Sequence, residues 1–391
     1  MSIKKDFLSL TALSCLLAAS AVAQAQSYHF MIPIKGMVAS EPAPAGASQI
    51  ECGYVQCYAL VDGSVWSVGA NNFGLLGRNG TTNQSTWGDT GLSGVSAIAA
   101  GSYHGYALKT DGSVWSVGFN GKGQLGQNGT TNQPNWGYAN LSDVSDIAAG
   151  NYYGYALKTD GSVWSVGQNT KGQLGRNGTI DQSIWGDTGL SGVSAIATGD
   201  YQGYALKTDG SVWSVGDNVY GQLGWGGTTD QSTWGDANLY GVSAITSGDT
   251  HAYALKTDGT IWSIGKNNYG QLGWGGTTSQ STWGYANLSD VSVITSGNAH
   301  SYALKTDGSV WSVGYNTYGQ LGWGGTTHQS TWGYTSLSDV SEIISGHYNG
   351  YGLKTDGSIW SVGYNNNGQL GFGDTTNRSA WTELTDPFTT P

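Results

Sequence analysis

Short apolar runs separated by polar turns recur along most of this chain, and a clear example lies in its first third. Three runs rich in apolar residues, 95–100, 106–109 and 113–117, follow one another there, and the turn Asp111-Gly112 separates the last two. An Asp-Gly pair between two alternating apolar runs is a strong signal for a β-hairpin. Glycine recurs too often in this pattern for helices, so we predict short antiparallel strands.

The pattern repeats with a fixed period. Two series of seven tryptophans, which begin at Trp66 and Trp87, each advance by 49 residues, and the seven units fill residues 49–391. Each unit contains the three strands above, and we place a fourth strand around 136–141 in the second unit. Four strands in 40–50 residues are typical of a propeller blade, whereas shorter units favour a solenoid.

We therefore predict an all-β fold, a seven-bladed β-propeller with four short strands per 49-residue repeat. Radial closure protects the strand edges that a linear stack would expose. The last strand, expected around 381–384, could complete the first blade or stay in its own, and the pattern leaves both groupings open.

The start of the chain has the features of a targeting segment. Lys4 and Lys5 precede a mostly apolar run, 7–23, and small residues after it form two A-x-A cleavage patterns. We predict a signal peptide cleaved after Ala25 or, as the second choice, after Ala23, and hence export to the periplasm or the extracellular space. No other apolar stretch approaches the roughly 20 residues of a membrane span.

The domain organisation then has three parts: a signal peptide at 1–25, an N-terminal extension and linker at 26–48, and the propeller at 49–391. After cleavage two cysteines remain, Cys52 and Cys57, in a compartment that permits disulfides. They flank a four-residue turn, so we predict a disulfide across it.

Composition agrees with this fold and narrows the range of partners. Of the 391 residues 64 are glycine and 12% are aromatic, which fits short strands and tight turns and argues against disorder. The 15 basic and 26 acidic side chains give a net charge of −11. Binding to phosphates requires clustered Lys and Arg, so we do not expect a nucleic-acid partner.

A longer phrase in each unit resembles the regulator of chromosome condensation repeat. In the second unit the phrase reads Ile98-Ala99-Ala100-Gly101, His104, Ala107-Leu108, Asp111-Gly112 and Gly118-x-Asn120-x-x-Gly123-Gln124-Leu125-Gly126. The resemblance covers all seven units, and the fold of that family is a seven-bladed propeller. The signal peptide is similar to that of a secreted bacterial-type member.

The resemblance also implies functions. The best-known member of the family is an exchange factor for the small GTPase Ran, into which it pushes a wedge-like insertion, and it also binds nucleosomes. Another member is a secreted bacterial inhibitor that caps a β-lactamase with one face. The unbroken 49-residue step leaves no obvious wedge in this chain, so no exchange residue can be transferred to it.

Most recurring polar residues are predicted to be structural. The Asn of each Gly-x-Asn-x-x-Gly and the Asp of each Asp-Gly pair fit turns. His104, His251 and His300 share one repeat position, but each lies on its own blade, so we expect partly buried hydrogen-bonding residues rather than a metal or acid–base centre. We predict a non-catalytic protein with no cofactor and no metal site.

The most informative variation surrounds the recurring Gly-Gln-Leu-Gly. Units one to three carry Phe, Lys, Arg and Gln there, whereas units four to six carry a Tyr and a Trp five residues apart. Exposed Tyr and Trp are typical interface anchors, and they also stack on sugar rings. The candidate partner-binding residues are Tyr220, Trp225, Tyr269, Trp274, Tyr318, Trp323 and Phe372.

The first hypothesis is thus a monomeric, exported propeller that binds a protein, or as an alternative a glycan, through one face. A packing role of the same aromatic residues in recently duplicated units is the competing interpretation. The family resemblance adds two further alternatives, a guanine-nucleotide exchange regulator of a small GTPase and a secreted enzyme inhibitor.

Overall fold

The computed structural model describes residues 47–385, and it confirms the seven-bladed β-propeller. Twenty-eight strands form seven four-stranded antiparallel sheets, and each sheet uses four consecutive strands. The signal peptide and nearly all of the N-terminal extension lie outside the described residues, so both remain predictions. Within residues 47–385 no helix is long and apolar enough to pass through a membrane.

The strands of blades 1 to 4 recur at almost constant spacing. Blade 1 has β1 (Gln49–Cys52), β2 (Gln56–Val61), β3 (Ser64–Gly69) and β4 (Gln84–Asp89). Blade 2 has β5 (Val95–Ala100), β6 (His104–Lys109), β7 (Val114–Gly118) and β8 (Gln133–Tyr138). Blade 3 has β9 (Val144–Ala149), β10 (Tyr153–Lys158), β11 (Val163–Gly167) and β12 (Gln182–Asp187). Blade 4 has β13 (Val193–Thr198), β14 (Gln202–Lys207), β15 (Val212–Gly216) and β16 (Gln231–Asp236).

The same order continues in the last three blades. Blade 5 has β17 (Val242–Ser247), β18 (His251–Lys256), β19 (Ile261–Gly265) and β20 (Gln280–Tyr285). Blade 6 has β21 (Val291–Ser296), β22 (His300–Lys305), β23 (Val310–Gly314) and β24 (Gln329–Tyr334). Blade 7 has β25 (Val340–Ser345), β26 (Asn349–Lys354), β27 (Ile359–Gly363) and β28 (Arg378–Leu384).

The fourth strand of the second unit differs from its predicted position at 136–141. The strand β8 begins at Gln133 and ends at Tyr138. Beyond it Asn140 has a φ of 57°, a left-handed conformation that an extended strand cannot contain. The apolar Leu141 is therefore part of the connection to the next blade rather than of the strand.

The ring closes without an exchange of strands. β28 pairs with β27 in its own sheet, and β1 of the first blade packs against β25 of the seventh. The long loop between the third and fourth strands of each blade also reaches over the outermost strand of the next blade. The main-chain N–H of Gly324 donates to the carbonyl of Ser379 at 2.8 Å, and Gly373 makes the equivalent bond to Ser85 across the seam at 2.9 Å. Blade 7 thus joins blade 1 by the same contact that joins blade 6 to blade 7.

Seven buried tyrosines, one in the second strand of each blade, tie these loops to the sheets. The hydroxyl of Tyr204, for example, donates to the carbonyl of Gln222 at 2.6 Å. Each buried tyrosine ring fills space between neighbouring blades. Its hydroxyl donates to a loop carbonyl that would otherwise be buried without a donor. The set is Tyr58, Tyr106, Tyr155, Tyr204, Tyr253, Tyr302 and Tyr351.

The meander order separates two faces of the propeller. Because consecutive strands are antiparallel, the turns between the first and second strands and the long loops between the third and fourth strands lie on the same face. We call this the loop face; in blade 1 it contains 53–55 and 70–83. The opposite hairpin face contains the Asp-Gly turns and the connections between blades, which in blade 1 are 62–63 and 90–94.

Candidate binding face

The structure places the Tyr and the Trp of each predicted pair in different surroundings. The ring of Tyr318 on the loop face lies 5.2 Å from that of Tyr348 and 4.8 Å from that of Tyr364, between ring centroids. Trp323 instead turns toward its own sheet, where its indole N–H donates to the hydroxyl of Ser312 at 2.7 Å. The pairs therefore do not form one continuous aromatic rim.

The Trp position has a structural role that explains its variation between units. Trp225, Trp274 and Trp323 each donate an N–H to the hydroxyl of a buried serine in the third strand, at 2.6–2.8 Å. In units one to three Arg78, Gln127 and Arg176 donate to the equivalent serine at 2.9–3.0 Å. These six residues differ in size and charge but share one N–H donor, and this shared chemistry was the signal that sequence reasoning missed.

Phe372 is the exception at this position, because its side chain has no hydrogen-bond donor. Its ring packs partly buried against the core cluster at the seam, and the guanidinium of Arg378 lies 4.6 Å from the ring centroid. The serine hydroxyl of this blade, Ser361, is 3.4 Å from the carbonyl of Leu370, whereas the corresponding distance in blade 6 is 2.8 Å.

Tyr220 and Tyr269 lie on the loop face with Tyr318. The ammonium of Lys266 is 4.8 Å from the centroid of the Tyr220 ring. The ring of Tyr269, which is 37% exposed, contacts Tyr315 at 4.8 Å and His328 at 5.0 Å.

Further aromatic residues, which the sequence analysis did not single out, join these tyrosines. Tyr103 stacks on Tyr152 at 5.5 Å with an interplanar angle of 11°, and Tyr54 links Tyr103 to Tyr348, both at 5.9 Å. Ring contacts connect all the members of this group, which we call the aromatic crown. It consists of Tyr54, Phe73, Tyr103, Phe119, Tyr152, Tyr269, Tyr315, Tyr318, Tyr348 and Tyr364.

The crown is interrupted at blade 4, where carboxylates are concentrated. Seven side chains, one from each β1–β2 turn or its equivalent, surround the mouth of the central channel on the loop face. In blade order they are Tyr54, Ser102, Asn151, Asp200, Asp249, Asn298 and His347. Aromatic rings thus surround an acidic opening on most of its circumference.

The two carboxylates at the mouth have different environments. Asp249 accepts hydrogen bonds from the imidazole Nε2 of His347 at 2.9 Å and from the amide of Asn298. Burial alone would raise the pKa of Asp249, but His347 and these hydrogen bonds together lower it. For Asp200 burial and the nearby carboxylates of Asp249 and Asp217 raise the pKa to about 8.

The three histidines that share a repeat position are more deeply buried than the sequence analysis expected. His104, His251 and His300 are fully buried between blades. His251 forms a hydrogen bond to Ser301 at 3.2 Å, and His300 forms one to Ser345 at 3.1 Å, in each case across to the next blade. Burial lowers the pKa of His104 and His300 to about 3 and that of His251 to about 4. They are neutral structural residues.

A disulfide joins Cys52 and Cys57 across the first turn of blade 1. It lies at the seam beside the channel mouth, where the side-chain amide of Asn349 from blade 7 is 3.7 Å from the Cys57 sulfur. Within residues 47–385 no group of three or more His, Cys, Asp or Glu side chains is arranged to hold a metal ion.

Comparison with known proteins identifies the family. The model of the RCC1-like domain matches residues 32–333. The chain belongs to the RCC1-like domain family. No curated protein matches the sequence of this family member.

Two solved structures of similar fold illustrate how far this RCC1-like chain has diverged. Prp20p from Saccharomyces cerevisiae is 19% identical with a TM-score of 0.76, over 82% of this chain and 86% of that chain. Human WBSCR16 is 22% identical with a TM-score of 0.73, over 81% of this chain and 92% of that chain. At this identity the similarity shows the shared fold.

Proposed function

We propose that this RCC1-like protein is an exported, monomeric scaffold that binds a protein partner on its loop face, with the aromatic crown as the contact surface. The observation that carries the proposal is the continuity of the crown. Ten aromatic rings contact one another on one face, and Tyr54, Phe73 and Tyr269 are each 36–37% exposed. Tyr and Phe at an interface contribute large contact area, and Tyr adds a polar tip.

The ring contacts also favour binding energetically. Ring-to-ring packing, such as that of Phe73 with Phe119 at 5.1 Å, restricts the side chains before a partner arrives. Preorganised side chains lose less conformational entropy on association. The repeated sheets beneath hold the loops that carry these rings, so the crown is a surface on a rigid support.

The comparisons support a protein rather than a glycan as the partner. RCC1-like propellers are typically protein-binding scaffolds, and the solved structure of Prp20p is described together with its binding to Gsp1p and histones. A second structure holds yeast RCC1 bound to Kap60. Those partners belong to the yeast protein, and the low identity transfers none of them to this chain.

The test is capture of a partner by the chain without residues 1–25, compared with a crown variant. The variant carries Phe73→Asn, Tyr269→Asn and Tyr318→Asn, because Asn367 occupies the same repeat position in unit seven and shows that Asn fits the loop. We expect a partner that the wild type retains and the variant loses, and a Kd at least about 100-fold weaker for the purified pair, as for the removal of hot-spot aromatics.

A matched control makes the same chemical change on the other side of the molecule. Tyr138→Asn, Tyr285→Asn and Tyr334→Asn remove three exposed tyrosines at strand ends toward the hairpin face. This control should keep the partner. Equal binding by the wild type and the folded crown variant would overturn the proposal.

Export is a separate part of the proposal, because residues 1–46 are outside the described range. It rests on the basic start, the apolar run and the A-x-A pattern that ends at Ala25. N-terminal sequencing of the protein recovered from the periplasm or medium should begin at Gln26. Recovery of the full-length chain from the cytosol alone would contradict export.

A further inference from the structure

We infer that the channel mouth on the loop face receives a cationic side chain, lysine or arginine, from the protein partner. The inference rests on the proposed function, since it assumes that the loop face is the contact surface. It specifies which chemistry the partner presents at the centre of the aromatic crown.

Two neighbouring acceptors at the mouth lack donors. Within residues 47–385 the carboxylate of Asp200 has no ion pair and no side-chain hydrogen bond. On the adjacent blade the side-chain oxygen of Asn151 is buried and accepts no hydrogen bond. Both residues line the mouth. Buried polar atoms in folded proteins nearly always have a partner, so the Asn151 oxygen indicates a missing donor. The Asp200 side chain is partly exposed at the mouth, so in its ionised form its carboxylate is open to a donor that approaches from outside.

The other charges around Asp200 are already engaged. Asp249 is bound by His347 at 2.9 Å. Asp217 forms an ion pair with Lys171 at 3.0 Å and accepts a hydrogen bond from Gln222. The ammonium of Lys266, whose charge lowers the pKa of Asp200, lies over the ring of Tyr220 rather than in an ion pair with that carboxylate. Of the two mouth carboxylates, Asp200 is therefore the one without an ion pair.

The surroundings favour an organic cation on a partner. The same two turns that carry Asn151 and Asp200 place Tyr152 and Tyr201 beside them, and aromatic rings attract ammonium and guanidinium groups. A guanidinium has five N–H donors in a plane, enough to serve Asp200 and Asn151 together.

The environment of Asp200 also predicts a pH dependence. Burial, Asp249 and Asp217 raise its pKa to about 8, so the carboxyl of the free protein is largely protonated at neutral pH. A cation requires the ionised form, and binding must displace that proton. Affinity for the cation should therefore rise between pH 6.5 and pH 8.5.

The inference can be tested with small probes on the chain without residues 1–25. Nα-acetyl-arginine methylamide and its uncharged isostere, Nα-acetyl-citrulline methylamide, would be titrated by saturation-transfer NMR at pH 8.5 and low salt. We expect millimolar binding of the arginine probe, at least about fivefold tighter than that of the citrulline probe. This ratio corresponds to about 1 kcal/mol, the net value of a typical hydrogen bond in water.

Two variants give the matched comparison. Asp200→Asn should reduce the preference, the ratio of the Kd of the citrulline probe to that of the arginine probe, to about one. This variant should fold because Asn151 and Asn298 occupy the same repeat position. Asp307→Asn removes one charge from an Asp-Gly turn on the hairpin face and should leave the preference unchanged. Equal binding of the two probes by the wild type, or a preference that survives Asp200→Asn, would overturn the inference.

Binding of the natural partner to the two variants distinguishes a failure of this inference from a failure of the proposed function. A partner lost by the crown variant but bound equally by wild type and Asp200→Asn would overturn the cationic contact and leave the proposed function intact. A partner retained by the crown variant would overturn the proposed function itself. A loss of at least fivefold with Asp200→Asn, together with loss in the crown variant, would support both.

Discussion

The loop face and the hairpin face derive from the same 49-residue repeat, yet the recurring turns of the hairpin face contrast with a variable channel mouth on the loop face. Every blade has an Asp-Gly turn there, and in six blades a Lys ammonium lies 4.2–5.4 Å from the centroid of a Trp ring. At the channel mouth on the loop face the seven equivalent positions hold five residue types. Positions that every blade needs for its own packing stay constant, whereas positions without that duty vary. The difference therefore separates the scaffold from the recognition surface.

The two faces also differ in how their ionisable groups are held. Each buried histidine is the first residue of the second strand of its blade, at the end of that strand that lies on the loop face. The Asp-Gly aspartates of blades 2 to 7 are exposed, and local hydrogen bonds lower their pKa, as the Ser113 side chain does for Asp111. Acid should therefore act mainly at the loop-face ends of the blades.

The largest effect expected from this difference is a change in acid stability when His104, His251 and His300 are replaced by Gln. Burial lowers their pKa to about 3–4, so below pH 6.5 the unfolded chain binds more protons and the wild type loses stability as the pH falls. Each histidine then removes about 1.4 kcal/mol per pH unit, or roughly 6 kcal/mol for all three at pH 5. Urea denaturation between pH 7.5 and pH 4.5 measures this slope.

Glutamine already occupies this position in two blades, so the triple variant has an internal precedent. Gln56 and Gln202 donate to a glycine carbonyl of the next blade at 2.8 and 3.1 Å. Asp307→Asn on the hairpin face is the control and should follow the wild-type curve. If the stability of the triple variant falls with pH as steeply as that of the wild type, the buried histidines are not the cause of the acid sensitivity.

A smaller and opposite pH effect is expected midway between the faces, at Glu342 in the channel wall. Burial and the nearby Glu51 raise the pKa of Glu342 to about 8, so the native state holds a proton that the unfolded state releases above about pH 4.5. Glu342 therefore costs stability as the pH rises from about 4.5 to 8. Glu342→Gln should stabilise the protein by roughly 4 kcal/mol at pH 8 and by little at pH 4.5.

The first blade shows why Gln should fit there. Gln49, at the equivalent position, donates to the carbonyl of Ile98 in the next blade and accepts from its N–H, both at 3.0 Å. Thermal unfolding of Glu342→Gln at the two pH values measures the effect, with Asp356→Asn on the hairpin face as the control. A stabilisation that is equal at both pH values would show that packing, rather than the proton, is responsible.

The fold was predictable because its determinants are local and occur seven times. The Asp-Gly pairs and the constant tryptophan step define hairpins and blade number without any knowledge of distant contacts. The grouping of strands at ring closure was not predictable, because β28 carries the same pattern whether it pairs with β27 or with the first blade. The packing of β1 against β25 settles it.

The candidate site was predictable only in part, for a related reason. Spacing indicated that Tyr318 and Trp323 belong to one loop, but it cannot tell which way each side chain points. The hydroxyl of Ser312 draws Trp323 toward the sheet, while Tyr318 joins rings from blade 7. Tyr54 and Tyr348 come from the two ends of the chain, and only ring closure brings them within 5.9 Å.

The smallest expected effect separates packing from recognition within a single loop, at Trp323. Trp323→Phe removes the N–H that serves Ser312 and should destabilise the protein by about 1 kcal/mol, the usual value of one hydrogen bond. Trp323→Arg should cost less than about 0.5 kcal/mol, because Arg78 and Arg176 make the same bond in their blades. Chemical denaturation of the two variants measures the difference.

Partner affinity gives a second test of the same loop. Trp323→Arg should bind the partner as tightly as the wild type does, since Trp323 is not part of the crown. If Trp323→Arg instead weakens binding as much as the crown variant, the interface must include the partly exposed Trp323 as well as the crown, and packing cannot be the whole role of these tryptophans.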